Sequence, residues 1–555
     1  MKKSLLFSIG TLFSLLFTSC SGSSCNCPED TGGKKDEVSL EKDALDNYAF
    51  DENVSNKDGS MSYEIFVRSF YDTNNDGIGD IKGVTQKLPY LSDLGIKTVW
   101  LMPIHPSPSY HGYDVSDYYG VNPEYGTLSD FDELVSEANK LNIDIMLDMV
   151  FNHSSTQNPY FAKSYEDYKA KKSGSDSKAD WYNWSTTSKG SYYHKYKDLY
   201  YEGRFDSSMP DFNYDSASMR KEIEKIFKFW IKDHGVKGFR LDAVLYYYYG
   251  NTEENAKVLT WMEKIGKESY KDFYMVGEAW TDNTSVLGYY KSTCDSFFKF
   301  KSSLNGTSND AMNNIIRSNS SIAPYDANGK WAKAIQNYEA TLKENNPNGY
   351  SSYFLSNHDM DRASDAYEEC FMKSAASLYG LMPGTSFMYY GEEIYLKGKR
   401  NTDPDDRSDA KRRLPMIWSE KDKTGECKFP EKGREDLDDT EQVKEGADDL
   451  MKVGYSLPNH FKKVINVRNK YPFIKHSVFT SLVDKLNRDD NQYVMAYKLS
   501  LGSDYIIVVH NFNQYAVEMD APGTEIVDEI NTNRQKPRLK DGKIAIGAYS
   551  TVIMK

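Results

Sequence analysis

Apolar positions along this chain come in short runs, and between the runs they recur with helical spacing. Residues 63–67, 96–102, 143–150 and 236–242 each read as a short buried strand, as do 273–278, 295–298, 353–357 and 386–390. The clearest intervening helix carries Met219, Ile223, Ile226, Phe227, Trp230 and Ile231 on one stripe, with Asp215 or Ser216 as its N-cap and Gly235 as its stop. Strands and helices alternating in that number predict an α/β fold, a parallel (β/α)8 barrel of the TIM type, whose functional residues belong at the C-terminal strand ends. A doubly wound open sheet is the alternative. It calls for a glycine-rich phosphate loop, and the sequence has none.

The pattern changes at both ends and once in the middle. Residues 1–20 carry Lys2 and Lys3, an apolar run over 5–17 and the small residues Thr18 and Ser19 before Cys20, the layout of an export signal; the run is short for a membrane span. Cys20 after small residues is similar to the lipobox of bacterial lipoproteins, which implies a lipidated Cys20 and a cell-surface or extracellular, membrane-anchored location. Residues 21–48 lack apolar period and read as a flexible tether, leaving 49–473 as the barrel domain. Residues 154–213 form an insertion after the third strand, too long for a connector, and predict a small lobe beside the cleft with Trp181 and Trp184 as candidate sugar platforms. The charged stretch 402–414 predicts an exposed loop near the mouth, and 457–469 a helix that closes the barrel. Alternating runs at 493–499, 505–511 and 544–554 predict an antiparallel β-domain over 474–555.

Composition narrows the function classes. The net charge is −14 without a basic cluster, which argues against nucleic acid and suits a neutral or cationic ligand. Hydrophobic residues make up 39% and aromatics 14% of 555 residues, enough for a large core and more than one domain. Six cysteines are too few for a disulfide scaffold, and Cys25 and Cys27 in the tether are given no role. No later run predicts a membrane span, so membrane contact is expected through the anchor alone, and a monomer is expected.

The chemistry lies at the strand ends. Arg240 and Asp242 (GFRLD) close the fourth run on one face, and an isolated pair of this kind is more often structural than functional. Asp148, Asn152 and His153 (DMVFNH) close the third run, Glu278 and Trp280 (EAW) the fifth, and Asn357, His358 and Asp359 (NHD) the seventh. Four polar clusters at four parallel strand ends converge on one mouth, and Asp242 with Glu278 then make the carboxylate pair that glycoside hydrolysis needs. Arginine beside Asp242 favours its ionised form, while Asp242 and Asp359 beside Glu278 favour the protonated one. After the first run, Asp72, Asn74, Asp76 and Asp80 with the Ile78 carbonyl (DTNNDGIGD) alternate oxygen donors around Gly77, a pattern suited to calcium; an Asx-rich turn is the plain alternative.

In combination and order, DMVFNH, MPDFN, GFRLD, EAW, FLSNHD and the segment PGTSFMYYGEE resemble the α-amylase superfamily of glycoside hydrolases, in particular its bacterial lipoprotein members, and the likeness runs from about residue 61 to 555. The resemblance implies that Asp242 is the nucleophile, Glu278 the acid/base and Asp359 the transition-state stabiliser. It also implies that Tyr113, His153, Arg240 and His358 line the site of the sugar under attack, with Trp280 contacting substrate, and that RLPMIW (413–418) belongs to the pattern. A loop like DTNNDGIGD is a structural calcium site in oligo-1,6-glucosidase-like members. The second calcium site of classical members uses a Lys-His pair where this chain has Leu245 and Tyr246. Ala243 and SYHGYD are similar to α-1,4-acting members, and MPDFN lies between patterns. The expected substrate is starch or a maltooligosaccharide, cleaved internally with retention. An exo-acting glucosidase, cyclomaltodextrinase or oligo-1,6-glucosidase-like enzyme is the enzymatic alternative, and a starch-binding protein with a relic site the non-enzymatic one.

Overall fold

A computed structural model describes residues 38, 40–51, 54, 61–300, 330–400, 409–429, 442–486 and 493–555. The export signal with Cys20, residues 21–37 of the expected tether, and 402–408 of the charged stretch lie outside these residues.

Eight parallel strands close into a barrel. They are β1 (Met61–Ile65), β2 (Thr98–Leu101), β3 (Asp144–Met149), β7 (Gly238–Leu241), β8 (Tyr274–Gly277), β9 (Ser296–Phe298), β10 (Tyr350–Phe354) and β11 (Thr385–Tyr389), with β1 pairing both β2 and β11. Between β3 and β7 sit the short lobe strands β4 (Trp184–Ser185), β5 (Tyr193–Tyr196) and β6 (Leu199–Glu202), an antiparallel sheet of three. The remaining strands form a five-stranded and a three-stranded antiparallel sheet after residue 477. The barrel is filled rather than hollow: Trp100, Met146, Val276, Phe298, Phe354 and Phe387 point inward from six strands and pack as one cluster.

Local rules explain most boundaries. The helix Ala217–Lys228 is capped by the Ser216 hydroxyl on the Met219 N–H, and the chain leaves its π-helical extension at Gly235, whose φ of +70° suits glycine. The helix Leu457–Lys470 buries its apolar face and packs against the helix Glu369–Gly380. β10 starts three residues before the apolar run predicted for it. The serines that hide it in the sequence are satisfied inside, Ser351 by Glu339 at 2.6 Å and Ser352 by Ser296 at 2.9 Å. β1 stops at Ile65 because 67–69 turn as a 3-10 helix.

Two expectations are corrected. Trp181 and Trp184 are buried in the lobe core, where Trp181 donates to Ser218 and Trp184 stacks on Phe161, so neither offers a face to a sugar. Within the charged stretch, Ala410 and Arg413 are buried, because Arg413 turns inward to carboxylates. The tyrosines 246–249 lie in a turn that precedes the helix Thr252–Ser269. Among the described residues no helix is long and apolar enough to cross a membrane.

Candidate active site

In-register pairing of β3 with β7 sets Asp148 directly beside Arg240, and β7 beside β8 carries Asp242 and Glu278 out at the same level. The backbone continues the ladder past the strand ends, with Asp242 N–H on Met149 O at 3.1 Å and Glu278 N–H on Leu241 O at 2.9 Å. Both carboxylates are thereby placed by main chain, not only by side-chain rotamer.

Arg240 is the hub. It is 1% exposed, its Nη1 donates to Asp148 Oδ1 and Asp242 Oδ1 at 2.8 Å each, and its Nη2 meets Glu278 Oε1 at 3.0 Å. Burial raises Asp148 to a pKa of about 6 in spite of that guanidinium. The other Glu278 oxygen accepts the Ala243 N–H at 2.9 Å, an amide that Ala243 presents from a left-handed φ of +51°. Such a conformation is costly for a residue with a Cβ and recurs at functional sites.

Across the cleft, Asp359 lies between two cations. His358 Nε2 is 2.9 Å and Arg413 Nη2 3.0 Å from its oxygens, and His358 Nδ1 rests on the buried Glu64 at 2.5 Å. Burial opposes the charge on Asp359, but His358, Arg413 and Arg240 outweigh it and hold the carboxyl far below its usual range. Burial likewise opposes charge on His358, and Asp359 and Glu64 reverse it to a pKa of about 10. Glu278 goes the other way. Burial first, then Asp242 and Asp359, push it up to about 8 against the pull of Arg240. At neutral pH the site therefore holds a protonated Glu278 opposite an ionised Asp359.

Tyr113 donates to Asp148 at 3.0 Å and lies 2.6 Å from His358 Nε2, its ring stacked on that of His358; His153 bonds the Tyr113 carbonyl at 3.1 Å. Burial keeps His153 neutral by lowering its pKa. Asp242, Glu278, Asp359, Tyr113, His153 and Trp280 all line one cleft of about 440 Å³, and the buried Arg240 reaches it through its ion pairs with Asp242 and Glu278. Trp280 is 46% exposed and stacks on Phe300 at 4.6 Å. Four members of the site were given no role in the sequence, although Arg413 opens the RLPMIW segment. Glu64 had a signal, a carboxylate inside an apolar run, and Arg413 had the RLPMIW segment; Asp409 and Phe205 arrive from charged or irregular segments and had none.

The loop after β1 has an all-oxygen donor set. Asp72 and Asp80 are buried and have no salt-bridge partner among the described residues, a situation that fits a bound hard cation. Asp72 accepts the N–H groups of Asn74, Asn75 and Gly77, and Asp80 those of Thr73 and Gly83. Among the described residues no group of three or more His, Cys, Asp or Glu side chains closes on a single metal position.

An eight-stranded parallel barrel with three carboxylates gathered at its C-terminal mouth defines a barrel glycoside hydrolase. The chain belongs to the α-amylase family: the α-amylase catalytic-domain model matches residues 64–477, and the model of the SusG α-amylase C-terminal domain matches 494–553. It is 34% identical to α-amylase 3 of Dictyoglomus thermophilum across 89% of this chain and 93% of that one. It is 29% identical to the oligo-1,6-glucosidase of Parageobacillus thermoglucosidasius, across 82% and 90%. Among solved structures, Eubacterium rectale Amy13B superposes with a TM-score of 0.81 at 36% identity, covering 91% of this chain and 96% of that one.

Proposed function

We propose that this hydrolase is an exported, lipid-anchored α-amylase that cleaves α-1,4 bonds inside starch and maltooligosaccharides with retention of configuration. The observation that carries the reading is the division of charge among the carboxylates: Glu278 raised to about 8, Asp359 held ionised by His358 and Arg413, and Asp242 fixed on Arg240. Glu278 gives its proton to the glycosidic oxygen as that bond breaks, and Asp242 attacks the anomeric carbon to form a glycosyl ester. Water, deprotonated by the Glu278 carboxylate, then releases the sugar. Asp359 offsets the positive charge that develops on the ring, and Tyr113, His153 and His358 hold that sugar's hydroxyls. Retention is supported by the two nitrogens of one guanidinium holding both Asp242 and Glu278. That span suits the roughly 5–5.5 Å of a retaining pair better than the roughly 6.5–9.5 Å of an inverting one.

Internal cleavage of α-1,4 bonds is favoured by the α-amylase relative, and an exo-acting or α-1,6-acting glucosidase by the oligo-1,6-glucosidase relative. A binding protein with a relic site does not account for Glu278 and Asp359 being pushed to opposite sides of their usual range beside an Asp242 fixed on Arg240. The loop at 72–80 is proposed as a structural calcium site, with Asp72, Asn74, Asp76, Asp80 and the Ile78 carbonyl as donors; it anchors the start of the first barrel helix rather than taking part in the reaction. The test of the main reading is product analysis on maltoheptaose, free and blocked at its non-reducing end. Mid-length products from the blocked form support the endo reading, and stepwise glucose from the free form alone overturns it in favour of an exo-glucosidase.

A further inference from the structure

β1 lies between β2 and β11, and its register sets Glu64 beside Trp100 on one side and Tyr389 on the other. Bulky apolar side chains are the usual filling of a barrel at such positions. Here a carboxylate stands, 1% exposed, and among the described residues its one ion pair is with His358, Nδ1 to Oε1 at 2.5 Å. Well-packed apolar residues serve the stability of an interior as well as a buried ion pair does. Packing therefore gives no reason for this pair, and its position behind Asp359 does.

The hydrogen bonds around His358 run in one consistent direction. An ionised carboxylate only accepts. Nδ1 therefore carries a proton for Glu64, and Nε2 carries one for Asp359 Oδ2 at 2.9 Å. The Nε2 proton is shared with the Tyr113 hydroxyl at 2.6 Å, and that hydroxyl donates onward to Asp148 at 3.0 Å. A neutral imidazole has one donor and one acceptor, so it would set a lone pair against one of its two carboxylates. The other groups packed around the ring are of both signs. Asp148, on β3, favours the charged ring; Arg240, which pairs with Asp148 and Asp242, opposes it, as does Arg413, whose Nε donates to the His358 carbonyl at 3.1 Å. Tyr113 stacks on the ring with His111 behind it, Trp100 meets it edge-on at 5.8 Å, and Tyr389 lies beside Glu64. Glu64 and Asp359 decide the balance, as the two carboxylates in direct contact with the ring nitrogens.

We propose that Glu64 is a positioning residue for the reaction: by accepting from Nδ1 it keeps His358 a donor at both nitrogens, and the doubly protonated ring fixes Asp359 and the Tyr113 hydroxyl at the sugar under attack. The inference rests on the retaining glycosidase reading above. Glu64 does not line the cleft, so its influence passes through the ring. With glutamine at 64, the side-chain amide can donate to Nδ1. A neutral ring then keeps its Nε2–H for Asp359, and the imidazole loses its second proton at a lower pH. A neutral donor holds a carboxylate about half as strongly as a charged one. Asp359 is the group that offsets charge on the reacting ring, so a looser Asp359 costs rate rather than substrate affinity.

The test compares the whole protein with Glu64→Gln and Glu64→Asp. Spectra of protein labelled with 15N-histidine report the protonation of each ring nitrogen, and the His358 signals, among those of nine histidines, are the ones missing from His358→Asn. At pH 8.5 both His358 nitrogens are protonated in wild type, whereas in Glu64→Gln the ring is mostly neutral. Loss of a carboxylate at this range brings the proton off about two pH units earlier than the wild-type value of about 10. On maltoheptaose, the ratio of wild-type to Glu64→Gln kcat/KM then rises about tenfold between pH 7 and pH 9, through kcat. Glu64→Asp keeps a carboxylate, and its ratio stays flat with pH. A packing role lowers kcat/KM by one factor at every pH, so a flat ratio for Glu64→Gln overturns the proposal. So does a neutral His358 in wild type at pH 8.5, a result that decides alone if the variants fail to fold. Both leave the glycosidase reading intact. Failure of wild type to cleave maltoheptaose overturns that reading, and with it any role of Glu64 in the reaction.

Discussion

Replacing Glu278 by glutamine separates the electrostatic cost of the site from its chemistry. In the folded protein the Glu278 pKa is raised from 4.5 to about 8, so between those values the folded state keeps a proton that the unfolded state has lost. The associated stability is full below about pH 4.5, falls as pH rises, and is gone above about 8. At 1.36 kcal/mol per unit, the loss between pH 5 and 8 is about 4 kcal/mol. Glutamine never titrates and escapes it. It also gives up an acceptor, since its NH2 must face either the Ala243 N–H or Arg240, which costs about 1–3 kcal/mol at every pH. The variant is therefore inactive, and its stability relative to wild type climbs with pH up to 8 and is flat beyond. Thermal melting of both proteins from pH 5 to 9 measures this, with the gap in Tm widening by about 4–8 °C between pH 5 and 8 if 1 kcal/mol moves a chain of this size by roughly 1–2 °C. In wild type the same proton sets an alkaline limb of kcat/KM near pH 8, because the acid must be protonated. Melting curves that run parallel across this range would refute the reasoning.

Four further outcomes follow from the same geometry. Asp242→Asn lowers turnover on the order of 10⁴-fold or more while maltooligosaccharide binding by calorimetry persists; substantial residual hydrolysis would remove the nucleophile assignment. Arg413→Met leaves Asp359 and Asp409 without their buried cation and lowers stability by about 3–5 kcal/mol, read by denaturation, with activity lost as Asp359 loses its hold. EDTA lowers Tm and calcium restores it, since a ligand at 100 times its Kd adds about 2.7 kcal/mol; an unchanged Tm would leave the 72–80 loop as a simple turn. Cys20→Ala moves the protein from the membrane to the soluble fraction and abolishes labelling by radioactive acyl chains, and retention of either would exclude the anchor.

Period and motif sufficed for the barrel, because a buried parallel strand must be apolar and its polar residues can gather only at the ends. That made Asp242, Glu278 and Asp359 recognisable as neighbours although up to 117 positions separate them in the chain. The same logic placed β10 three residues late, because the serines at its start are polar in sequence and satisfied inside the fold. It also misjudged Trp181 and Trp184. An aromatic residue in an irregular insertion carries no sign of which side will be covered, and here the lobe closes on both.

What the chain order alone determined is the set of groups delivered to the mouth: three carboxylates, Arg240 and the two histidines, each carried at or just beyond the end of a barrel strand. What only the tertiary structure decided is the state of those groups and the second wall of the cleft. The protonation of Glu278 depends on burial and on charges from other strands. The hold on Asp359 depends on Arg413, which comes from a segment with no period, and on Glu64 acting through His358. The stack of rings on the Arg204 guanidinium needs Tyr192 and Arg204 of the lobe to meet Tyr249 and Tyr246 of the turn after β7. Electrostatic and stacking energies depend on distances through space, and spacing along the chain specifies those only within a single element.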